Sequence, residues 1–220
     1  MKTKFYSFVR FLLLLPVRVF CRTHVTGQEN EPKREDGPYL ICANHQTALD
    51  PFFLCYAMKH QQPHFMAKAS LFKIPVLGFL IRRLGAYPVN RNGKDVGAVK
   101  HVIKLLDEGK SVGIFPQGTR CAGKPLRECE VKAGAGLIAA RAGVQVLPVY
   151  IGMKNQKWRL FRRVDVVVGE PIPFEQFGYD KEKTGEYARI SADIYERICV
   201  LGEQHNTKTG KEDAVSSSQA

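Results

Sequence analysis

A histidine and an aspartate stand five positions apart in a stretch that changes from apolar to polar and back. His45 follows the apolar residues Leu40 and Ile41, which are typical of a buried strand, and Asp50 precedes Pro51. Asp followed by Pro favours a helix start, because Asp can cap the first free N–H groups and Pro suits the first helical position. We therefore predict that His45 and Asp50 flank a loop between a strand and a helix. A carboxylate that orients an imidazole in this way makes a general base usable near neutral pH.

Basic residues and a glycine turn follow other predicted strands. Arg91 ends one such stretch, and Gly118, Thr119 and Arg120 come directly after a buried strand at residues 111–115. In an open α/β sheet, ligands lie in the crevice at the carboxyl ends of the strands. The planar fork of arginine suits phosphate, and glycine lets backbone N–H groups come close to an anion. These loops together predict a phosphate site beside the base.

Strands alternate with helices along the chain, which predicts an α/β fold with a largely parallel central sheet flanked by helices. Strands are predicted from residue 39 and at 64–67, 85–91, 111–115, 144–151 and 163–169, and helices at 52–58, 95–108, 132–142 and 187–201. The apolar and basic segment 71–84 contains Pro75 and Gly78 and predicts a broken helix, which is either a second membrane-facing surface or a buried core helix. Asp95 is the expected cap of the next helix, and Pro148 predicts a bulge or a strand near a sheet edge.

The first 26 residues are predicted to form a membrane-docking segment. Phe5 and Leu12 share one face of a helical wheel, and Arg10 and Arg18 share the opposite face. This pattern is typical of a helix that lies in the membrane interface with its basic side toward anionic headgroups. Its uncharged run is too short to span a bilayer, which needs about 20 apolar residues. The alternatives are an amphipathic helix packed on the domain and a signal anchor.

One folded domain is expected at residues 27–202, followed by a disordered polar tail at 203–220. The formal net charge of +12 predicts attraction to a membrane surface, a phosphorylated substrate or nucleic acid. Nucleic acid is disfavoured, because no motif that combines aromatic and basic side chains is present. The six cysteines lack the spacing of a metal site, so we expect no bound metal. The N-terminal sequence does not look like a cleavable signal peptide, so we expect a reducing compartment and free thiols.

Four blocks of the chain, in order, resemble the glycerolipid acyltransferases. The similarity is greatest to the bacterial 1-acyl-sn-glycerol-3-phosphate acyltransferases, also called lysophosphatidate acyltransferases. The first block of that family, Asn-His-x4-Asp, is matched by Asn44, His45 and Asp50. The third block, Phe-Pro-Glu-Gly-Thr-Arg, is matched except at its Glu. The four matching segments are Asn44–Asp50, Gly85–Arg91, Phe115–Arg120 and Val146–Val149. The resemblance extends from about Gly27 to Gly169.

The resemblance implies a single acyltransferase domain that forms phosphatidic acid for phospholipid synthesis. His45 would take the proton from the sn-2 hydroxyl of lysophosphatidate, and Asp50 would orient His45. The acyl donor would be acyl-CoA or acyl-carrier protein, with no cofactor. The enzyme would lie on the cytoplasmic face of the cell membrane, as a peripheral or monotopic protein. The residues expected to bind the acceptor's phosphate are Arg91, Gly118, Thr119 and Arg120, with Lys68 and Lys132 added on charge and position.

Gln117 stands where the family usually has Glu, and it keeps the shape of that side chain without its charge. If the missing charge orients a neighbouring cation, substrate preference should shift. Two alternatives follow from this departure. One is the same chemistry on another lyso-lipid, such as a lyso-aminolipid or a lysophospholipid with a headgroup. The other is a non-catalytic lipid-binding protein on the membrane surface, which the presence of both His45 and Asp50 disfavours.

Overall fold

The computed structural model describes residues 15, 17, 19–89 and 96–210, which form a seven-stranded sheet flanked by helices. The strands are β1 Thr23–Thr26, β2 Tyr39–Ala43, β3 His64–Lys68, β4 Ala86–Val89, β5 Val112–Ile114, β6 Gln145–Met153 and β7 Val164–Val168. The α-helices are α1 Asp50–Ala57, α2 Pro75–Arg83, α3 Val96–Asp107, α4 Gly134–Ala142 and α5 Glu186–Thr209. Short 3-10 helices lie at Gln28–Asn30, Arg34–Asp36, Ala69–Lys73, Leu126–Glu128, Lys154–Gln156 and Phe174–Phe177. The predicted α/β fold is confirmed. The predicted cap Asp95 lies outside the described residues.

The strand order is β1-β7-β6-β2-β5-β3-β4, and the sheet is mostly parallel. Strands β2 to β6 all run in one direction. β7 is antiparallel to β6, and β1 is parallel to β7. The carboxyl ends of β2 to β6 therefore meet at one edge of the sheet, which we call the carboxyl edge. The predicted chemical groups among the described residues follow or end β2, β3 and β5, so the topology brings them to this edge.

Strand β2 lies in the middle of the sheet and is buried on both faces. Leu40 and Cys42 face the cluster built with α3, α4 and α5. Tyr39, Ile41 and Ala43 face the opposite cluster, which includes α1. The side chains alternate between the two faces, as the period of two in a strand requires. A strand buried on both faces is a continuous apolar run, which is how β2 was detectable from sequence.

The predicted docking segment, residues 1–26, extends too far toward its C-terminal end. Thr23–Thr26 form β1, which pairs with β7 at the edge of the sheet. Four residues with Val25 as the single aliphatic side chain make too short a pattern for detection. Residues 15, 17, 19 and 20 are helical. Residues 1–14, 16 and 18 lie outside the described residues, so the amphipathic helix stays a prediction.

The predicted polar tail, residues 203–220, begins too early. Helix α5 continues to Thr209. Its last turns are held against the sheet, where His205 Nε2 lies 3.5 Å from the carboxylate of Asp165 on β7. This contact bridges elements far apart in sequence, so the local composition that suggested disorder does not reveal it. Residues 211–220 lie outside the described residues, and their disorder stays a prediction.

Pro148 does not lie near a sheet edge, because β6 pairs with β7 on one side and β2 on the other. The register with β7 shows how the proline is accommodated. Val149 pairs with Val168, whereas Val146 pairs with Ile172. Between these two pairs there are two residues on β6 and three residues on the chain that follows β7. One extra residue on one of two paired chains is the register shift of a β-bulge. The alternative expectation, a bulge, agrees with this shift.

The segment after β3 is a broken helix, as predicted, and one side of it is exposed. The 3-10 turn Ala69–Lys73 precedes α2. Ile81 is buried, whereas Ile74, Val76 and Phe79 are 49%, 72% and 49% exposed. A wholly buried core helix is therefore excluded. In the described part of the chain, no helix is long and apolar enough to cross a membrane.

Two glycines at the start of α4 are expected to respond oppositely to alanine. A Cβ on Gly136 would lie 2.1 Å from the carbonyl oxygen of Tyr187 in α5, whereas one on Gly134 would meet nothing within 4 Å. Gly136→Ala should therefore destabilise the fold by about 1–3 kcal/mol through overpacking. Gly134→Ala should raise stability by at most about 1 kcal/mol. Urea unfolding of both variants tests the pair, and equal effects would contradict the close approach of α4 and α5.

Candidate active site

The loop after β2 is anchored to the sheet before it reaches His45. Asn44 is fully buried, and its side chain continues the pairing of β2 with β6. Its Oδ1 accepts the N–H of Ile151 at 2.7 Å, and its Nδ2 donates to the carbonyl of the same residue at 2.9 Å. The Asn44 amide thus acts as one more backbone unit at the end of the strand. Rigid attachment of this kind fixes the position from which His45 projects.

His45 and Asp50 form a buried hydrogen-bonded pair, as predicted from their spacing. His45 Nδ1 lies 2.8 Å from Asp50 Oδ2, and Asp50 is fully buried. The same Oδ2 accepts the N–H of Gln46 at 2.6 Å and of Thr47 at 2.9 Å, and Oδ1 accepts the Thr47 hydroxyl at 2.9 Å. The two backbone N–H groups and the Thr47 hydroxyl all donate to Asp50, an arrangement that suits a carboxylate, which only accepts. With Nδ1–H donated to it, Nε2 is the ring nitrogen left to accept a proton.

The expected role of Asp50 as a helix cap is wrong. Asp50 is the first residue of α1, and Leu49 holds the cap position without a side-chain cap bond. The Leu49 carbonyl accepts the N–H groups of Phe52 and Phe53. The Asp50 carboxylate instead turns back into the loop, where it meets His45. The preference for Asp before Pro at helix starts located the start of α1 correctly. It wrongly predicted that the carboxylate would bind the first N–H groups of that helix.

An aromatic stack fixes the plane of the His45 ring. The ring of Phe115, which follows β5, stacks on His45 with centroids 4.0 Å apart and an interplanar angle of 13°. Phe65 of β3 lies behind Phe115 at 6.5 Å between centroids. The His45 side chain is 10% exposed, so one edge of the ring remains accessible. Residues on or next to three neighbouring strands, β2, β5 and β3, thus hold the imidazole in one orientation.

Gln117 is a scaffold residue beneath His45. Its side chain is buried, its Oε1 accepts the backbone N–H of His45 at 2.8 Å, and its Nε2 donates to the hydroxyl of Tyr195 at 3.0 Å. The Tyr195 hydroxyl in turn donates to the carbonyl of Leu126 at 3.1 Å. Sequence reasoning missed Tyr195. A tyrosine on the apolar face of α5 is the available signal, because a buried tyrosine hydroxyl usually has a partner.

The third block forms an exposed turn close to His45. The N–H of Gly118 donates to the carbonyl of Phe115 at 2.9 Å, and Gly118 has φ of +69°. Gly118, Thr119 and Arg120 are exposed. The N–H of Cys121 donates to the carbonyl of His45 at 2.9 Å, which ties the turn to the histidine. The N–H groups of Gly118 and Cys121 are thus used within the protein, and the turn exposes the Thr119 hydroxyl and the Arg120 guanidinium.

Lys132 joins this turn, whereas Lys68 lies at the end of a neighbouring strand. The Lys132 N–H donates to the carbonyl of Pro116 at 2.9 Å, and a Cβ on Gly118 would lie 3.0 Å from Lys132 Cδ. Lys68 is exposed at the end of β3, on the carboxyl edge. Arg91 lies outside the described residues. The described part of the predicted phosphate site thus consists of the turn and Lys132.

The cysteine nearest the site is not an activated thiol. Burial raises the pKa of Cys121 to about 11, with a further upward contribution from Cys129. A nucleophilic cysteine requires the opposite shift, because the thiolate is the reactive form. Among the described residues, no group of three or more His, Cys, Asp or Glu side chains is placed to hold a metal ion.

Removing the amide of Gln117 should disturb catalysis through the position of His45. Gln117→Leu leaves the His45 N–H buried without a partner, which should cost about 1–3 kcal/mol of stability. A shift of the imidazole by about 1 Å can lower kcat about 100-fold. Tyr195→Phe is the matched control, since it removes the second bond of Gln117 and leaves the bond to His45. Loss of kcat in Gln117→Leu alone supports positioning, and equal losses in both would contradict it.

Comparison with known proteins extends these observations. The acyltransferase family model matches residues 22–152. A 1-acyl-sn-glycerol-3-phosphate acyltransferase of Streptococcus pneumoniae is 34% identical over 172 residues, which are 76% of this chain and 62% of that protein. The enzyme of the same name from Bacillus subtilis is 32% identical over 158 residues, 70% of this chain and 76% of that protein. The chain thus spans less than two thirds of the length of the Streptococcus relative.

A solved structure shares the architecture. The crystal structure of the 1-acyl-sn-glycerophosphate acyltransferase PlsC from Thermotoga maritima superposes with a TM-score of 0.70 at 26% identity. The superposition covers 91% of this chain and 79% of the Thermotoga chain. The family model spans β1 to β6, which includes the His45 loop and the exposed turn. The chain belongs to the acyltransferase family.

Proposed function

We propose that this protein transfers a fatty acyl group from an acyl thioester to the sn-2 hydroxyl of 1-acyl-glycerol-3-phosphate. The product is phosphatidic acid, and the reaction is a step of phospholipid synthesis. The observation that carries the proposal is the buried His45–Asp50 pair beside an exposed cationic turn. The names of the Streptococcus and Bacillus relatives support the choice of acceptor.

In the proposed reaction, His45 acts as the general base. Nε2 of His45 takes the proton of the acceptor hydroxyl, and the oxygen of that hydroxyl attacks the thioester carbonyl. The new C–O bond forms, the C–S bond breaks, and the thiolate takes up a proton, for which the protonated His45 is the nearest source. Asp50 stabilises the imidazolium in between, because its carboxylate is fixed by three further donors. The reaction balances with no metal, redox cofactor or acyl-enzyme.

The acceptor's phosphate is proposed to bind at the exposed turn. Arg120 supplies a planar fork, Lys132 a point charge and Thr119 a hydroxyl donor, while Gly118, whose N–H is bonded to Phe115, supplies the positive φ that shapes the turn. The turn is bonded to His45 through Cys121, so a phosphate held there lies within reach of the base. Lys68, at the carboxyl end of β3, stays a candidate, and so does Arg91, which lies outside the described residues.

The substitution at Gln117 gives no reason to change the acceptor. Its amide is buried, and its hydrogen bonds go to the His45 backbone and to the Tyr195 hydroxyl. The missing charge therefore does not alter the phosphate site directly. Another lyso-lipid acceptor and a non-catalytic lipid binder are the outcomes that would replace this proposal.

We propose a peripheral location on the cytoplasmic face of the cell membrane. Lipid substrates require access to a leaflet, and the net charge of +12 suits an anionic surface. The basic and apolar side of α2 supports this, since Arg82 and Arg83 stack over Phe72 and Phe79 on an exposed helix. Acyl-CoA and acyl-carrier protein are both acidic donors, and either suits the positive charge.

Release of free thiol from a long-chain acyl-CoA tests the function. We expect release by the full chain in vesicles that depends on added lysophosphatidate. Release with lysophosphatidylethanolamine or lysophosphatidylglycerol instead would move the proposal to another acceptor. No release with any acceptor, from acyl-CoA and acyl-carrier protein alike, would favour the binding protein.

Arg120→Ala should weaken binding of the acceptor more than that of the donor. Loss of a charge-assisted pair with phosphate is expected to raise the KM of lysophosphatidate about 10- to 100-fold, with the donor KM changed by less than about threefold. Arg120→Lys should recover part of the loss, since it keeps the charge but not the fork. Lys124→Ala removes another exposed cation of the same loop and is the matched control. Equal rises in both KM values would contradict the phosphate role.

A further inference from the structure

The segment Lys154–Arg163 presents large apolar side chains at the carboxyl edge of the sheet. It leaves the end of β6 and returns as β7, so it lies on the same edge as His45. Leu160 is 53% exposed and Phe161 58% exposed. Phe20, which precedes β1, is 43% exposed and lies beside Phe161 with ring centroids 5.7 Å apart. We call Phe20, Leu160 and Phe161 the apolar tip.

The backbone holds the apolar tip outward at a conformational cost. Phe161 has φ of +61°, in the left-handed region where a bulky side chain is a genuine outlier. Its N–H donates to the carbonyl of Phe20 at 2.7 Å, which fixes that conformation. Asn155 and Gln156 in the same segment also have positive φ. Unfavourable backbone conformations persist where the surroundings determine them, and they cluster at functional sites.

The segment that carries Leu160 and Phe161 is rich in basic residues. The segment contains five basic residues and no acidic residue. Lys154, Lys157, Arg159 and Arg162 are all exposed, and none forms an ion pair with another described residue. Exposed apolar side chains flanked by unpaired cations suit an anionic lipid surface, where the apolar groups enter the acyl boundary and the cations meet headgroup phosphates.

The segment is joined to the candidate active site and to the core. The N–H of Gly123, just past the exposed turn, donates to the carbonyl of Gln156 at 3.0 Å. Trp158 is half-buried and packs on the same core cluster as Val17 and Cys21. A displacement of the apolar tip is therefore transmitted to rigid elements on both sides. Docking at this point would fix how the His45 site faces the surface.

We propose that the apolar tip inserts into an anionic phospholipid leaflet and orients the carboxyl edge of the sheet toward the membrane. This docking point lies at the β1–β7 end of the sheet, whereas α2 lies between β3 and β4 in the chain, at the other end of the strand order. The inference rests on the proposed function only in that the acceptor is a membrane lipid. Removal of two large apolar side chains from an inserted surface should lower vesicle affinity about tenfold or more.

Fluorescence of Trp158 reports directly on the proposal, because it is the one tryptophan of the chain. The full chain is added to vesicles of phosphatidylcholine and phosphatidylglycerol in equal parts, with and without brominated acyl chains. We expect quenching of Trp158 by the brominated lipid. Leu160→Ser/Phe161→Ser should lower affinity about tenfold and remove the quenching, even where residues 1–14 still hold the chain on the vesicle.

Matched variants separate insertion from fold damage and from general charge. Phe161→Gly removes the ring and relaxes the positive φ, so it should bind vesicles less while it unfolds no earlier than the parent. Arg159→Ala/Arg162→Ala should weaken binding and reduce its salt dependence. Lys104→Ala/Lys110→Ala removes two cations on α3 and ahead of β5, toward the opposite edge of the sheet, and should bind as the parent does.

Three results would overturn the proposal. One is vesicle binding with Trp158 unquenched. A second is unchanged affinity in Phe161→Gly and in the double serine variant. A third is a chain that self-associates through the apolar tip, seen as a dimer in sedimentation that the double variant lacks. Thiol release with a short-chain acyl-CoA and monomeric short-chain lysophosphatidate tests the proposed function independently, and the double serine variant should retain it.

Discussion

His45→Ala is expected to lower the rate of acyl transfer by a factor of about 10³ to 10⁴, which is the upper part of the range for loss of a positioned general base. The imidazole is held by Asp50 at 2.8 Å and by the stacked ring of Phe115 at 4.0 Å, so its orientation is set before substrate binds. Alanine removes the only ring nitrogen placed to take the hydroxyl proton. The KM values should change little, because the residues proposed to bind the phosphate, Arg120 and Lys132 among them, are unchanged in this variant.

Thiol release in the presence of lysophosphatidate measures this effect, with kcat and both KM values determined. His60→Ala is the matched control, since its side chain is exposed and lies on the other side of α1 in sequence. The thermal midpoint of His45→Ala should stay close to that of the parent. A variant that keeps more than about a tenth of the parent kcat would exclude His45 as the base.

Asp50→Asn is expected to lower kcat by about 10² to 10³ while it preserves most of the local geometry. Oδ2 accepts three donors, from His45, Gln46 and Thr47, so the amide oxygen should occupy that position and the amide nitrogen should face the Thr47 hydroxyl. The hydrogen bond to Nδ1 then survives, but the negative charge that stabilises the imidazolium is gone. The loss should therefore appear in kcat.

The matched control for Asp50→Asn is Thr47→Val. It removes the hydroxyl bond to Oδ1 and the bond from the Leu49 N–H to that hydroxyl, and it leaves the backbone N–H bond of Thr47 to Oδ2. We expect a kcat within about tenfold of the parent, since the charge and the contact with His45 remain. If Thr47→Val lost as much activity as Asp50→Asn, the carboxylate would act through loop structure and the charge would have no special role.

The local part of the site could be predicted from sequence, and the long-range part could not. His45 and Asp50 lie in one loop, so their spacing was enough to place them together. The bond between Gln117 and Tyr195 joins residues 78 positions apart, and it arises from the packing of α5 on the sheet. The missing charge at Gln117 suggested an effect on the acceptor site. The Gln117 side chain is in fact buried, and it supports the loop that carries His45.

The same limit applies to the fold. The alternation of strands and helices predicted the parallel sheet, because each unit is recognisable within a short window. The reversal of direction at β7 was not predictable, since an apolar strand pattern carries no information on its direction. Thr23–Thr26 is a strand only because β7 offers an open edge to pair with. The last turns of α5 are ordered by contact with Asp165 on β7.

The place of β1 in the sheet has a consequence for biosynthesis. β1 is made first of the strands, yet its single partner in the sheet is β7, which is made last. Closing so long a loop is a slow step, because its entropy is lost before the pairing compensates for it. We infer that β1 docks only after residues 164–168 have left the ribosome. Until then the segment ahead of β1 is not held by the sheet, and a growing chain can meet the membrane before its catalytic domain is complete.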